Sequence, residues 1–219
     1  MIKENLREII DNIKKAAERS GRSENDVTLV AVSKTVAPSK INEAIDCGVT
    51  DIGENYVQEL LEKYDAIKRD KINLHFIGHL QRNKVKYIVD KVDSIDSVDS
   101  YELAAEIDKR AKAKNITMDI LVQVNIGDEQ SKSGVNAKGV CDLVHRICEF
   151  ENVTVKGLMC IPPINCDVAL FDEMKSIADS LGLKVLSMGM SGDYETAIEH
   201  GSTCVRIGTS VFGKRNYNK

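Results

Sequence analysis

The amino-acid sequence predicts an α/β protein, a single (β/α)8 TIM barrel over residues 1–219 with an extra helix at its N-terminus. Two observations support this prediction. Short runs rich in Val, Leu and Ile, typical of buried parallel strands, alternate along the whole chain with amphipathic helical stripes. Eight such strand–helix units follow one leading helix, which is the count of a closed barrel. An open doubly wound sheet would show the same alternation, and the eight predicted strands favour the barrel over it.

The elements follow one another without a low-complexity linker or a block of like charge. The leading helix carries an apolar stripe from Ile2 to Ala17. The first predicted strand spans residues 27–33, and the helix after it begins at Pro38 and ends at Gly48. The other predicted strands are short apolar runs at residues 51–53, 74–77, 94–98, 118–125, 153–159, 185–188 and 203–207. The run at 94–98 is weak and is predicted mainly because the alternation requires a strand there.

Composition excludes several classes of protein. The hydrophobic fraction of 42% and the charged fraction of 29% are ordinary for a soluble globular chain. A net charge of -4 gives no electrostatic reason to expect binding to nucleic acid or to an anionic membrane. No apolar run reaches the length of about 18 residues that predicts a membrane span, and the charged, periodic start is unlike a signal peptide. We therefore expect a cytoplasmic protein.

Cysteine and histidine spacing predicts no metal site. The 6 cysteines are scattered without a C-x-x-C pair, so we expect reduced thiols that act as small hydrophobic residues. Cys141 and Cys148 are predicted to share one face of a helix. His75 and His79 lie four residues apart, but in a strand-like run rather than on a helix that could bind zinc.

Lys34 ends the first predicted strand, within the stretch VTLVAVSKTVAPSK at residues 27–40. The carboxyl ends of parallel strands are where α/β proteins place their chemistry. Partial burial there lowers the pKa of an ammonium group, and the free amine is a nucleophile toward carbonyl compounds. The alternative is that Lys34 only extends past the strand end into water.

Two consecutive loops near the end of the chain predict an anion site. They are MGMSGD at residues 188–193 and RIGTS at 206–210, after the seventh and eighth strands. Barrels often hold a ligand phosphate in these loops, and each of the two runs into a helical turn. The residues expected to surround the anion are Ser191, Gly192, Gly208 and Thr209. Arg206 shares strand parity with Gly208 and could point to the same place; alternatively the glycines only form turns and Arg206 pairs with a surface acid.

A nucleophilic lysine opposite a phosphate site suits two kinds of ligand. Pyridoxal 5′-phosphate (PLP) would form a Schiff base with the amine through its aldehyde, while its phosphate is held non-covalently. A sugar phosphate in a Schiff-base aldolase would use the same two groups. These residues alone do not decide between them.

Seven motifs spread in order along the chain carry a family resemblance. They are AVSKT (31–35), DIGENYVQEL (51–60), HFIGHLQRNKVK (75–86), QSKSG (130–134), GLMCIPP (157–163), SMGMSGDYETAIEHGST (187–203) and VRIGTSVFGKR (205–215). With them the sequence resembles the pyridoxal phosphate homeostasis proteins, the YggS or proline-synthetase-associated family, which are single-domain relatives of the alanine racemase barrel.

The resemblance implies roles for individual residues. It implies that Lys34 holds PLP as a Schiff base and that Arg206 lies near the phosphate or the pyridine nitrogen. It implies that the phosphate is surrounded by Ser191, Gly192, Gly208 and Thr209. Asn55 is expected to line the same mouth, a role compatible with capping the helix that follows it.

The resemblance also implies a function without turnover. The chain would carry and buffer PLP in intracellular vitamin B6 and amino-acid homeostasis as a monomer, with no catalytic residue and with apo PLP-dependent enzymes as possible recipients. A PLP-dependent racemase or decarboxylase is the first alternative, and a Schiff-base aldolase is the second. Racemisation needs a second acid or base opposite Lys34. The nearest candidates by sequence, Tyr56 and Tyr194, are expected to point away from the cofactor aldehyde.

Three further observations concern the edge of the site. His79, Gln81 and Asn83 are candidates for its rim, although turns and helix capping explain them nearly as well. Lys132 in QSKSG could be an ordinary solvated loop residue, or, as the family motif suggests, a second amine that receives or releases the cofactor. Cys160 in GLMCIPP is assigned no function.

Overall fold

The computed structural model describes residues 1–129, 132–163 and 165–213. Its strands, in chain order, are β1 (Thr28–Val32), β2 (Asp51–Glu54), β3 (Asn73–Phe76), β4 (Ser94–Val98), β5 (Met118–Asn125), β6 (Val135–Asn136), β7 (Val153–Cys160), β8 (Val185–Ser187) and β9 (Cys204–Ile207). All of the strand pairs are parallel.

Eight of these strands form a closed barrel. They are hydrogen-bonded in the order β4-β3-β2-β1-β9-β8-β7-β5, and a further pairing of β4 with β5 closes the ring. This confirms the predicted (β/α)8 barrel and excludes the open doubly wound sheet, whose edge strands would stay unpaired. The weak fourth strand is confirmed as β4. The two-residue strand β6 was not predicted and pairs beside the carboxyl end of β5, with Val135 opposite Val124.

Helices cover the outside of the barrel. They are α1 (Ile2–Arg19), α2 (Pro38–Asp46), α3 (Val57–Lys63), α4 (Val85–Ile88), α5 (Tyr101–Lys114), α6 (Val140–Ile147), α7 (Ala169–Ser180), α8 (Tyr194–Glu199) and α9 (Thr209–Phe212). Pro38 occupies the first turn of α2, and Gly48 with a φ of 100° follows its end, as predicted. No helix in the described part of the chain is both long and apolar enough to span a membrane.

The extra N-terminal helix α1 joins the two ends of the chain. Its apolar stripe is buried, and the helix packs against both α8 and α9. Asn5 donates from Nδ2 to the carbonyl of Val211 at 3.0 Å, and Asn12 donates to the hydroxyl of Tyr194 at 3.1 Å. The first helix therefore supports the helices that follow the two predicted anion loops.

A charged cluster lies in the lumen near the amino-terminal ends of the strands, where it borders a cavity of about 370 Å³. His75 on β3 lies between Asp51 Oδ1 at 3.0 Å from its Nε2 and Asp96 Oδ2 at 3.2 Å from its Nδ1. Ser94 Oγ lies 2.8 Å from the same Nδ1. Burial alone would lower the pKa of His75, but hydrogen bonds and charge from the two aspartates outweigh it and raise the pKa to about 10. His75 is therefore a charged, paired residue of the interior.

The cysteines do not all behave as small hydrophobic residues. Cys160 and Cys204 are buried, and burial raises the pKa of each thiol to about 12. Cys141 and Cys148 flank the core-facing stripe of α6 and are exposed, so the prediction of a hydrophobic role is wrong for these two. All six are unpaired thiols. No cluster of three or more His, Cys, Asp or Glu side chains could hold a metal ion within the residues that the structure describes.

Candidate functional site

A cavity of about 280 Å³ opens at the carboxyl ends of the barrel strands. It brings together all seven residues predicted to surround a cofactor: Lys34, Asn55, Ser191, Gly192, Arg206, Gly208 and Thr209. Ligand pockets commonly start at about 300 Å³, so this cavity fits a small ligand. These residues lie at or just after the carboxyl ends of β1, β2 and β9 and in the loop after β8. The pairing of β1 with β9 brings the two ends of the sequence together.

Lys34 lies two residues beyond the last residue of β1 and is half-buried at the cavity wall. Thr35 follows it with a φ of 62°, a left-handed conformation that is uncommon for a β-branched residue. Backbone strain of this kind persists only where surrounding contacts impose it. The chain therefore turns sharply at the lysine.

Asn55 follows β2 and contributes a polar atom without a partner. Its Oδ1 is buried and accepts no hydrogen bond from any described residue. The N-cap of α3 is Tyr56 and makes no side-chain cap bond, so the structure gives Asn55 no capping role. Gly78 after β3 packs against the Asn55 backbone so closely that a Cβ there would lie 2.0 Å from the Asn55 carbonyl oxygen. The amide is thus held at the cavity with an acceptor left over for a ligand.

The loop after β8 is shaped by Gly189 and Asp193. Gly189 has a φ of 97°, and a Cβ there would lie 2.7 Å from the Ala197 methyl group. Asp193 Oδ1 accepts from the backbone N–H of Met190 at 2.6 Å. A Cβ on Gly192 would meet no atom within 4 Å, so its backbone is open to the cavity. The loop is therefore held by these contacts on one side, and Gly192 is exposed on the other.

The second loop leads from β9 into α9, whose first residue is Thr209. The first N–H groups of any helix have no acceptor within the helix, so they are free to bind an anion. The helices after both loops are short, six residues for α8 and four for α9. An anion here would therefore be bound mainly by local N–H and hydroxyl donors rather than by a long helix dipole.

Arg206 lies inside the barrel and not on its surface. It is buried, and it donates from Nη1 to Ser187 Oγ and from Nη2 to the Cys160 carbonyl, both at 2.7 Å. The alternative of a pair with a surface acid is wrong. The two bonds fix the plane of the guanidinium at the base of the cavity and leave other N–H donors for a ligand. Cys160 contributes through its carbonyl and not through its thiol.

The rim candidates separate into two places. His79 and Gln81 line a groove of about 560 Å³ that adjoins the cavity through Asn55, together with Tyr56, which is 57% exposed. Asn83 lies in a different and wider surface groove of about 760 Å³ beside α5, and Gln81 lines both grooves. Neither groove holds a buried nucleophile, so the smaller cavity is the stronger candidate for chemistry.

Lys132 is an ordered connection between two loops. Its Nζ lies 2.6 Å from Glu129 Oε1, and it donates to the carbonyls of Ile161 and Pro162 at 3.3 and 3.2 Å. Because Ile161 also lines the cavity, Lys132 stands next to the site. Its side chain is 29% exposed, and both interpretations of Lys132, a solvated loop residue and a second amine, stay predictions. Gln130 and Ser131 of the same motif, and Lys214 and Arg215 at the other end of the chain, lie outside the described residues.

Four apolar residues of the site were not predicted: Val32, Ile77, Ile161 and Met190. Val32 has the same strand parity as Lys34, so alternation along β1 could have identified it. Ile161 and Met190 lie in loops, where no periodic pattern exists. Together they provide apolar wall beside the polar groups, as a flat aromatic ligand requires.

Comparisons with known proteins agree with this architecture. Residues 5–216 match the family model described as alanine racemase, N-terminal domain. A pyridoxal phosphate homeostasis protein of Aquifex aeolicus is 47% identical over 224 residues, covering 98% of each chain. The chain belongs to this family of pyridoxal phosphate homeostasis proteins.

Other members of the family match over similar lengths. The pyridoxal phosphate homeostasis protein of Escherichia coli K12 is 40% identical over 230 residues, which cover 100% of this chain and 98% of the relative. The solved structure of PipY from Synechococcus elongatus, with PLP bound, has a TM-score of 0.84 at 30% identity. It covers 97% of this chain and 100% of PipY. The relatives are thus similar in length as well as in fold.

Proposed function

We propose that this protein binds PLP reversibly, holds it as a Schiff base on Lys34, and carries and buffers it in vitamin B6 and amino-acid homeostasis. One observation carries the proposal: a single small cavity gathers a strand-end lysine, two loops rich in free N–H and hydroxyl donors, and a buried arginine. The relatives support it, because they are named homeostasis proteins and PipY is solved with PLP bound.

The cavity residues fit the chemistry of PLP. When bound, this cofactor supplies an aldehyde that an amine can attack and a phosphate that donors can hold. Lys34 offers the amine. Ser191, Gly192, Gly208 and Thr209 offer the hydroxyl and backbone donors for the phosphate. The buried, unpaired Oδ1 of Asn55 offers an acceptor to a hydroxyl of the ring.

Arg206 is assigned to the pyridine nitrogen rather than to the phosphate. It precedes Gly208 by two residues, and a strand rises about 3.3 Å per residue, so its backbone lies about 7 Å below the loop. A guanidinium can only donate hydrogen bonds, so a pyridine nitrogen held by Arg206 would accept one and would stay unprotonated. An unprotonated ring withdraws electrons poorly, which suits a carrier better than an enzyme.

The same cavity argues against a racemase. Apart from Lys34, its described lining contains no Tyr, His, Cys, Asp or Glu side chain that could serve as a second acid or base. Tyr194 is buried beneath α1, with its hydroxyl accepting from Asn12, and Tyr56 lies in the adjoining groove. The sugar-phosphate aldolase is less well supported, because the relatives carry names that refer to PLP.

The test is borohydride reduction of the protein loaded with PLP, followed by peptide mass mapping. We expect the pyridoxyl group on Lys34, an absorption band of a protein-bound imine before reduction, and loss of both in Lys34→Ala. The matched control is Lys132→Ala, a neighbouring lysine whose removal should leave the adduct in place. An adduct mainly on another lysine, or an intact band in Lys34→Ala, would refute the assignment.

The proposal extends to the fate of the cofactor. Apo PLP-dependent enzymes are the recipients, the protein acts as a single-domain cytoplasmic monomer, and no amino acid is turned over at a useful rate. Lys132 as a second amine in transfer stays a prediction. It would be supported if Lys132→Ala kept the Lys34 band but changed the rate at which an apo-enzyme regains activity.

A further inference from the structure

A buried ion-pair network lies behind Lys34, on the helix side of the barrel wall. It consists of Glu54 at the end of β2 and of Glu59 and Lys63 on α3. Lys63 Nζ lies 2.9 Å from Glu54 Oε1 and 2.6 Å from Glu59 Oε1. The Lys63 side chain is 9% exposed and that of Glu54 is 2% exposed, although both residue types are almost always at the surface. Burial raises the pKa of Glu54, against the opposing effects of Lys63 and Ser33. Burying two charges costs desolvation free energy, so we expect a role of this network beyond stability.

One end of the network holds the peptide group before Lys34. The Lys63 ammonium donates to the Ser33 carbonyl oxygen at 2.8 Å, and the Ser33 hydroxyl donates to Glu54 Oε1 at 2.6 Å. The backbone N–H of Ser33 continues the strand ladder to Gly53 at 2.9 Å. Ser33 is therefore fixed through its N–H, its carbonyl and its side chain at once.

The other end holds the peptide group after Lys34. The backbone N–H of Thr35 donates to Glu59 Oε1, the same oxygen that pairs with Lys63. Thr35 is the residue with the left-handed φ of 62°. Glu59 thus receives the N–H of a residue that would not adopt this conformation without support. Both neighbours of Lys34 are bound to one continuous network, and the cavity lies on the opposite side of the lysine.

We propose that Lys63, acting with Glu54 and Glu59, is a positioning residue for Lys34. The network fixes the peptide groups on both sides of the lysine and so directs its amine into the cavity. Attack on an aldehyde requires the amine within a narrow distance and direction of the carbonyl carbon, and small displacements slow such reactions strongly. The inference rests on the proposed function, because it takes imine formation at Lys34 as the reaction that the network serves.

The sharpest test compares two substitutions at Glu59. Glu59→Gln removes the charge but keeps an oxygen that can accept from the Thr35 N–H, whereas Glu59→Ala removes both. We expect Glu59→Ala to slow imine formation with pyridoxal phosphate about tenfold, and Glu59→Gln to stay close to the natural protein. If the two variants react alike, the contact with Thr35 has no positioning role and the proposal fails.

A second variant tests the buried pair itself. Lys63→Met alone would leave Glu54 unpaired, so it is combined with Glu54→Gln, which removes both charges together and protects the fold. The control is His75→Gln, which breaks a buried charge cluster at the opposite end of the barrel. We expect slower imine formation in the double variant and an unchanged rate in the folded His75→Gln protein. An equal slowing in both would show a general effect of lost stability and overturn the proposal.

A readout without cofactor separates this inference from the proposed function. Acetic anhydride labels Lys34 and the exposed Lys3 in the same cofactor-free protein, and mass spectrometry gives the ratio of the two rates. We expect Glu59→Ala to change that ratio at least about threefold, because the Lys34 amine is then held at a different position and is reached differently by the reagent. If the natural protein forms no imine on Lys34 but the ratio still responds, the proposed function fails and the positioning role stands. An unresponsive ratio contradicts the positioning role alone.

Discussion

The two ends of the barrel lumen differ in the hydrogen bonding of one polar side chain at each end. At the amino-terminal end, both ring nitrogens of His75 face an aspartate oxygen. At the mouth, the buried Oδ1 of Asn55 has no partner among the described residues. Buried polar atoms are nearly always hydrogen-bonded, so an unpaired acceptor at the wall of a cavity is available to a ligand. We therefore assign a structural role to the cluster around His75, and we assign Asn55 to the site at which we propose that a ligand binds.

The contrast between the two ends would be contradicted if the cluster around His75 also contributed to ligand affinity. His75→Gln leaves Asp51 and Asp96 without the cation between them, and breaking a buried ionic group of this kind costs about 3–5 kcal/mol of unfolding free energy. We expect that loss in urea unfolding, together with an unchanged PLP affinity of the folded protein. A normal unfolding curve, or a weakened affinity, would remove the distinction between the two ends.

The pH dependence of the unfolding free energy tests whether His75 is paired in the folded state. The pKa of His75 is raised from 6.5 to about 10, so the folded state binds the proton more tightly than the unfolded chain does. His75 therefore contributes about a few kcal/mol to the unfolding free energy. This contribution is complete below about pH 6.5 and is lost as the pH rises toward 10. Unfolding free energies of the natural protein should therefore fall more steeply than those of His75→Gln between about pH 6 and pH 9.5. Parallel profiles would contradict the paired state of His75.

The smallest expected effect lies at the mouth. Asn55→Ala removes an acceptor that has no protein partner, so the unfolding free energy should change by less than about 1 kcal/mol. The affinity for PLP should fall by about fivefold, the value of one neutral hydrogen bond of about 1 kcal/mol. Calorimetric titration and urea unfolding of one preparation give both numbers. A large loss of unfolding free energy with a normal PLP affinity would show that Asn55 stabilises the fold and does not bind the ligand.

The sequence was sufficient to predict the barrel and to place Lys34, Arg206 and the two loops at one end of it. Lys34 and the two anion loops were predicted at strand ends, and parallel strands in a closed barrel bring all of their carboxyl ends to one face. The cavity therefore follows from strand order once eight strands are counted. What these residues bind follows from their chemistry and from the family resemblance, not from the barrel.

The sequence was less informative about side chains whose surroundings come from distant segments. Lys63 has the appearance of a surface charge in a helical stripe, and it is buried only because Glu54 on β2 lies beneath it. Lys132 could not be connected to Ile161 and Pro162, which are about thirty residues away. The strand β6 was not predicted, because a strand of two residues is too short to show a periodic pattern.

The pairing of β1 with β9 has a consequence for how the protein folds during synthesis. Lys34 leaves the ribosome early, whereas Arg206 and Thr209 are among the later residues, and β1 must wait for β9 because Val30 pairs with Arg206. Closing a loop of that length is entropically slow, and no partial chain can complete the ring. A nascent chain that ends before β9 therefore has Lys34 and the loop after β8 but lacks Arg206 and the loop after β9. The cavity becomes complete only when the last strand pairs with the first.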